Sequence, residues 1–96
     1  MAVFVHAVLN GVSTDQYDAL NAKLQGTPEI FEGCLSHVCV PTDSGLEIFD
    51  LWETERQMNA FTEKMMPVAA DLGWPVTQAP PRTRTVHNYW VPGADA

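Results

Sequence analysis

Two segments of this chain combine strand-forming residues with apolar side chains at both odd and even positions. Residues 2–9 (AVFVHAVL) and 46–52 (LEIFDLW) are rich in β-branched and aromatic residues, which predicts β-strands. Successive side chains of a strand point to opposite faces of its sheet, so a sheet with one face in water should alternate apolar with polar residues. These segments therefore predict a sheet that is covered on both faces.

Two helices are predicted between the strands. A capping box at 13–16 starts the first helix and Gly26 ends it. A second capping box at 54–57 starts the other helix, which carries an apolar stripe and ends at Gly73. Pro67 lacks an N–H group, so we expect it to kink or restart this helix. The apolar stripe of the first helix consists of Tyr17, Leu20 and Leu24.

Two further strands, 33–40 (GCLSHVCV) and 84–90 (RTVHNYW), complete a β-α-β-β-α-β order. This order predicts an α+β, ferredoxin-like domain over residues 1–96, with a four-stranded antiparallel sheet in which strand 3 lies between strands 1 and 2. Right-handed crossovers place both helices on one face of that sheet. The other face then has no cover from within the chain.

A second copy of the chain is the simplest cover for that face. Each large apolar side chain left in water forfeits about 1.5–3 kcal/mol. We therefore expect a homodimer, a dimeric α/β barrel whose two sheets enclose a cavity for a small molecule. The alternative is a monomer that holds a lipid-like ligand on an apolar concave face.

The net charge, the hydropathy and the cysteines limit the binding partners and the cellular compartment that we expect. The net charge is −7, with five basic residues, which argues against binding to nucleic acids or anionic membranes. The sequence has no apolar run of about 20 residues, and its start lacks a basic signal-peptide region, so we expect a cytoplasmic protein. Cys34 and Cys39 are an odd number of positions apart in one strand, which predicts opposite faces and no disulfide between them.

Three histidines fall on three different predicted strands, and one aspartate lies among apolar neighbours. Asp50 in strand 3 is costly to bury unless it is paired. It can approach His6 and His37 if all three side chains point to the same face. A positioned His–Asp pair is a workable general base near neutral pH, so we predict His37, Asp50 and His6 as catalytic residues. The histidine spacing matches no metal-binding motif.

Aromatic and flexible apolar side chains are the candidate lining of a ligand pocket, since flat rings recognise flat or polycyclic ligands. The predicted substrate-binding residues are Trp52, Phe61, Met65, Trp74, His87 and Tyr89. The chain contains no nucleophile elbow, phosphate loop or dinucleotide fingerprint. We therefore expect no cofactor, and any oxidation would use the substrate itself, O₂, or a cofactor that is recruited without a linear motif.

The segment 45–55 (GLEIFDLWETE), followed by Phe61, resembles the dimeric α/β-barrel superfamily, in particular a small actinobacterial branch near the antibiotic biosynthesis monooxygenases. Residues 11–18 (GVSTDQYD), His37 and 86–88 (VHN) are also similar to that branch.

The resemblance implies a homodimer with a pocket either between the sheet and the helices or in the lumen between the two sheets. It also implies a small-molecule substrate, often an aromatic polyketide that is oxidised by O₂ without metal or flavin. By position, Trp52 matches a tryptophan in the pocket of those monooxygenases, whereas Ile48 stands near the place of their strand 3 asparagine. The superfamily also includes heme enzymes, isomerases, cyclases and proteins without known activity.

The favoured hypothesis is a tailoring enzyme of secondary metabolism that deprotonates an aromatic or polyketide-type substrate with a His/Asp base and reacts it with O₂. A cyclase, isomerase or dehydratase would need the same base without O₂. A small-molecule binding protein would need no base. Heme binding through His37 or His87 is a fourth possibility.

Overall fold

The computed structural model describes residues 2–75 and 80–93. In chain order its elements are β1 (Val3–Asn10), α1 (Thr14–Gln25), a 3₁₀ turn (Pro28–Phe31), β2 (Cys34–Pro41), β3 (Gly45–Trp52), α2 (Glu55–Asp71) and β4 (Arg82–Thr85). The four strands form one antiparallel sheet in the order β2-β3-β1-β4. An α+β fold with such a sheet and two helices is compatible with the ferredoxin-like architecture.

The two faces of the sheet differ in cover. Along β3 the buried residues alternate with half-buried ones. Trp52 on the buried side packs against Met58 of α2, and His37 on the same side contacts Tyr17 of α1. Both helices therefore lie on this face, which we call the covered face. The opposite side, with Phe49 and Leu51, is the open face.

Two buried clusters hold the helices on the covered face. One consists of Val3, Val5, Trp52 and Met58. The other consists of Leu20, Leu24, Ile30 and Ala69. Phe61 of α2 packs against both clusters, so this helix joins the sheet to α1 and to the 3₁₀ turn.

The predicted helix ends agree with the structure. Ser13 and Gln16 form a reciprocal capping box, and Thr54 caps α2 by accepting a hydrogen bond from the Gln57 backbone N–H. Gly73 has a φ of 82°, and hydrogen bonds from its own N–H and that of Trp74 close the end of α2 as in a Schellman motif.

The predicted restart of α2 at Pro67 is wrong, because the helix runs from Glu55 to Asp71 without interruption. A proline removes one backbone donor. The turn beyond Pro67 is held by the burial of Ala69 and the partial burial of Leu72 against the second cluster. Packing of this apolar side therefore outweighs one missing hydrogen bond.

The cysteines lie on the same face, contrary to the expectation from their spacing. A β-bulge between Cys34 and Ser36 inserts one extra residue into β2, so Cys34 pairs with Trp52 and Cys39 with Ile48, both on the covered face. Both cysteines are free, as expected. Burial raises the pKa of both thiols.

The predicted bounds of the last strand, 84–90, are wrong: β4 is shorter and spans Arg82–Thr85. β4 is antiparallel to β1, and its last register pair joins Thr85 to Val3, the first residue of β1. One more backbone bond joins Val86 N–H to the Ala2 carbonyl. After Val86 the described chain is no longer part of the sheet. Residues 76–79, which precede β4, lie outside the described residues.

The open face carries partly exposed apolar side chains, as the mixed patterning of the strands predicted, together with the polar or charged residues His6, Glu47 and Arg84. Four large apolar residues on this face have 37–49% of their surface accessible: Phe4, Val8, Val38 and Val40. Within the described residues neither helix is long and apolar enough to cross a bilayer.

Candidate active site

The sheet register brings His37 and Asp50 together. They are partners in the β2–β3 ladder, and their side chains meet on the covered face with His37 Nδ1 2.6 Å from Asp50 Oδ1. Asp50 is 8% exposed, whereas the His37 side chain is 40% exposed because β2 is an edge strand. The predicted pair is therefore present, with its carboxylate buried and its imidazole open to solvent.

A second hydrogen bond holds the Asp50 carboxylate. Trp52 Nε1–H donates to Asp50 Oδ2 over 3.4 Å, so both carboxylate oxygens accept a bond. A carboxylate oxygen can only accept a hydrogen bond, so His37 Nδ1 must donate the bond to Asp50 Oδ1. In the neutral imidazole the proton therefore sits on Nδ1, and Nε2 carries the lone pair.

Tyr17 completes a chain of hydrogen bonds. Its hydroxyl lies 2.5 Å from His37 Nε2, and the two ring planes are within 3° of parallel. Since Nε2 is the acceptor nitrogen, the phenol donates its proton to it. The order Tyr17–His37–Asp50–Trp52 therefore runs from the partly exposed side of α1 into the buried core.

The surroundings of Tyr17 favour its protonated form. Burial is the largest cause that raises the pKa of this phenol, and nearby Cys39, Asp50 and Asp18 raise it further. At neutral pH Tyr17 is a hydrogen-bond donor. The hydroxyl therefore supplies the proton of the bond to His37.

Tyr17 is fixed at the start of α1. Its backbone N–H donates to the Ser13 carbonyl in the first turn of the helix, next to the capping box. The neighbouring Gln16 carbonyl accepts a bond from Trp74 Nε1–H, and the Gln16 amide donates to the Gly73 carbonyl. These bonds join the first turn of α1 to the end of α2.

Tyr17 lies in the predicted apolar stripe of α1, and its helical spacing did not indicate that it belongs to this site. A tyrosine in a helix face that packs on a sheet needs a partner for its hydroxyl. That requirement, together with a histidine in the facing strand, is the signal that could have identified Tyr17.

The structure does not bring His6 to the His37–Asp50 pair. Asp50 is opposite Val5 in the β1–β3 ladder, so the next residue, His6, points to the open face. There His6 Nε2 lies 2.7 Å from Glu47 Oε1, and the ring stacks on Phe49 with centroids 4.7 Å apart. The condition that all three predicted catalytic residues share a face is not met.

The six predicted substrate-binding residues do not share one site. Trp52 is 1% exposed and belongs to the first core cluster, with Phe61 packed against it. Met65 and Trp74 pack against the second cluster. His87 and Tyr89 are exposed and follow the end of β4. The apolar stripes that suggested a pocket lining serve mainly as core.

Two surface grooves lie away from the Tyr17–His37–Asp50 chain. One, of about 320 Å³, lies between the β1–α1 loop (11–14) and the β2–β3 hairpin (41–46). The other, of about 370 Å³, lies where the end of α1 and the 3₁₀ turn meet α2. Within residues 2–75 and 80–93, no group of three or more His, Cys, Asp or Glu side chains is arranged to hold a metal ion.

Comparison of the sequence with protein-family models gives no match, and comparison with curated proteins gives no significant similarity.

Proposed function

We propose that this chain is a cytoplasmic tailoring enzyme of secondary metabolism, in which His37 deprotonates an aromatic or polyketide-type substrate that then reacts with O₂. The observation that carries the proposal is the His37–Asp50 pair, an exposed imidazole held by a buried carboxylate over 2.6 Å. The resemblance of segment 45–55 to the antibiotic biosynthesis monooxygenases supports the reaction class and membership of that superfamily.

The pair supplies the two functions that a general base needs. His37 Nε2 takes the proton, and Asp50 stabilises the positive charge that forms on the imidazole. Because Trp52 and the β2–β3 ladder hold Asp50 in place, the imidazole keeps one orientation while it cycles between its two protonation states. The deprotonated, electron-rich substrate passes electrons to O₂; one oxygen atom enters the product and the other leaves as water. No bound cofactor takes part in the proposed reaction.

The proposed assembly is a homodimer formed through the open faces. Val8, Val38 and Val40 are among its exposed apolar residues, and both helices of the described chain lie on the other face. A face of the same composition on a second copy is self-complementary under a two-fold axis. The paired sheets would bury these side chains and enclose the His6–Glu47 pair.

Oxygen uptake tests the function. The purified protein is incubated with a dihydroxynaphthalene or a dihydroxyanthrone, O₂ consumption is followed, and incorporation of isotope-labelled oxygen is measured by mass spectrometry. We expect uptake by the wild type and a loss of about 10²-fold or more in His37→Asn. Glu63→Gln removes an exposed carboxylate of α2 and is the control.

The other classes give different results in this assay. A cyclase, isomerase or dehydratase would convert the substrate without O₂ uptake and would still lose activity in His37→Asn. A binding protein would leave the substrate unchanged in every variant. Either result contradicts the proposed oxygenation.

A further inference from the structure

The nitrogen that should take the substrate proton already has a partner. His37 Nε2 lies 2.5 Å from the Tyr17 hydroxyl, and Nδ1 lies 2.6 Å from Asp50. Both nitrogens of the imidazole are therefore engaged within the protein. A substrate cannot bond to Nε2 in line with its lone pair unless Tyr17 moves.

We infer that Tyr17 is a further catalytic residue: its Oη contacts the substrate and relays the proton of a phenol or enol hydroxyl to His37. This inference rests on the proposed function and names the substrate group on which that function acts. Tyr17 is partly exposed on the first turn of α1, and its hydrogen bond to His37 lies at the surface, so a ligand can approach its oxygen.

The proton count follows from the hydrogen-bond directions. Asp50 accepts a hydrogen bond from His37 Nδ1–H, and His37 Nε2 accepts one from the Tyr17 hydroxyl. The hydroxyl proton of Tyr17 therefore lies in the bond to His37. The phenol oxygen still has lone pairs, so towards solvent it is an acceptor. A ligand hydroxyl can donate to it.

The relay moves two protons along existing bonds. The substrate O–H bond breaks and its proton bonds to Tyr17 Oη, while the Tyr17 O–H bond breaks and that proton bonds to His37 Nε2. The products are a substrate oxyanion, an unchanged neutral tyrosine and an imidazolium paired with Asp50. No electron is gained or lost, and reversal of both transfers restores the starting state.

The same geometry selects the kind of substrate group. Transfer to Oη requires a hydrogen bond from the ligand, which a hydroxyl makes well and a C–H bond makes only weakly. The carboxylates Asp50 and Asp18 lie near Tyr17, and the chain carries a net charge of −7. This field disfavours a ligand that arrives as an anion, so the substrate offers a neutral phenol or enol hydroxyl.

The test uses para-nitrophenol, whose phenol and phenolate forms absorb at different wavelengths. The bound form is recorded at fixed pH for wild type, Tyr17→Phe, His37→Asn and the control Glu63→Gln. We expect the wild type and the control to bind the probe with an increased phenolate fraction. In Tyr17→Phe the ratio of bound phenolate to phenol should fall by roughly tenfold to a hundredfold, the range expected for loss of a hydrogen bond to a charged group.

The outcomes separate the inference from the proposed function. If His37→Asn lowers the phenolate ratio but Tyr17→Phe keeps the wild-type ratio, the substrate meets His37 directly and the relay is wrong. A wild type that binds only the neutral phenol, or does not bind the probe, also overturns the relay. The oxygen-uptake assay decides the proposed function independently.

A second measurement applies if Tyr17→Phe does not fold. The chain has two tyrosines, so Tyr89→Phe leaves Tyr17 as the single one, and this variant is produced with ordinary or ring-fluorinated tyrosine. Fluorination makes the phenol more acidic. The phenolate fraction of the bound probe is measured against pH for the ordinary and the fluorinated protein. We expect the two curves to be displaced from each other, whereas identical curves contradict the relay.

Discussion

His37 Nδ1 and Asp50 Oδ1 lie 2.6 Å apart as partners in the ladder between an edge strand and an inner strand of the sheet. The inner strand buries the carboxylate under α1 and α2, and the edge strand leaves the imidazole accessible. The difference in exposure follows directly from strand position. A single pair of facing residues thereby combines a buried carboxylate with a partly exposed imidazole, whose other nitrogen is bonded to Tyr17.

Asp50→Asn should impair turnover much more than folding. The amide has nearly the shape of the carboxylate but replaces one acceptor oxygen with an NH₂ donor group and carries no charge, so the imidazole loses the group that orients it and stabilises its protonated form. We expect turnover of the dihydroxy-aromatic substrate to fall by about 10²-fold or more. Steady-state kinetics and urea unfolding measure the two effects. Equal turnover in Asp50→Asn and Glu63→Gln would show that the buried carboxylate has no catalytic part.

Tyr17 should couple stability to alkaline pH. Its pKa in the folded protein is raised from the usual 10.0, chiefly by burial. Below pH 10.0 the phenol is protonated in both states, and stability is unaffected. As pH rises above 10.0 the unfolded chain loses the proton first, so the free energy of unfolding decreases until the folded pKa is reached. The free energy of unfolding is measured with urea across this pH range for the wild type and for Tyr17→Phe. The variant should lack the Tyr17 contribution to the alkaline loss of stability, and identical pH dependences of the two proteins would contradict this prediction.

Trp52→Ala should strongly destabilise the fold. Trp52 is 1% exposed, packs with Val3, Val5 and Met58, and contacts Phe61. Truncation of such a buried aromatic costs about 3–5 kcal/mol. Met66→Ala on the exposed side of α2 is the control and should change the free energy of unfolding little. A Trp52→Ala variant as stable as this control would mean that the indole is not part of the core.

Val38→Lys should disrupt the proposed dimer. Val38 lies on the open face and is 49% exposed in the single chain, so a lysine there costs little to the monomer. At an apolar dimer interface the buried ammonium is strongly unfavourable. Sedimentation equilibrium should show weakened association, whereas Met66→Lys, on α2, should associate like the wild type. A wild type that sediments as a monomer would contradict the dimer.

Much of the fold could be predicted from local signals. The capping residues Ser13 and Thr54 and the terminal Gly73 fix helix ends through hydrogen bonds within a few residues. The adjacency of the strands that carry His37 and Asp50 also followed from the strand order, since strands joined by a short hairpin are neighbours.

The predictions that were wrong concern features that depend on how one strand pairs with its neighbour. The bulge near Cys34 depends on how β2 meets β3, and the end of β4 at Thr85 depends on where β1 begins. The face occupied by His6 depends on which residue of β1 stands opposite Asp50. A sequence pattern gives the alternation of side chains but not this register.

The tautomer of His37 tests the central claim most directly. Nitrogen NMR of the imidazoles, with the His37 signals assigned by their absence in His37→Asn, is recorded at a pH at which the ring is neutral. The account predicts a proton on Nδ1, bonded to Asp50, and an unprotonated Nε2 that accepts from Tyr17. A proton on Nε2, or the mixture of both forms shown by a free histidine, would contradict it.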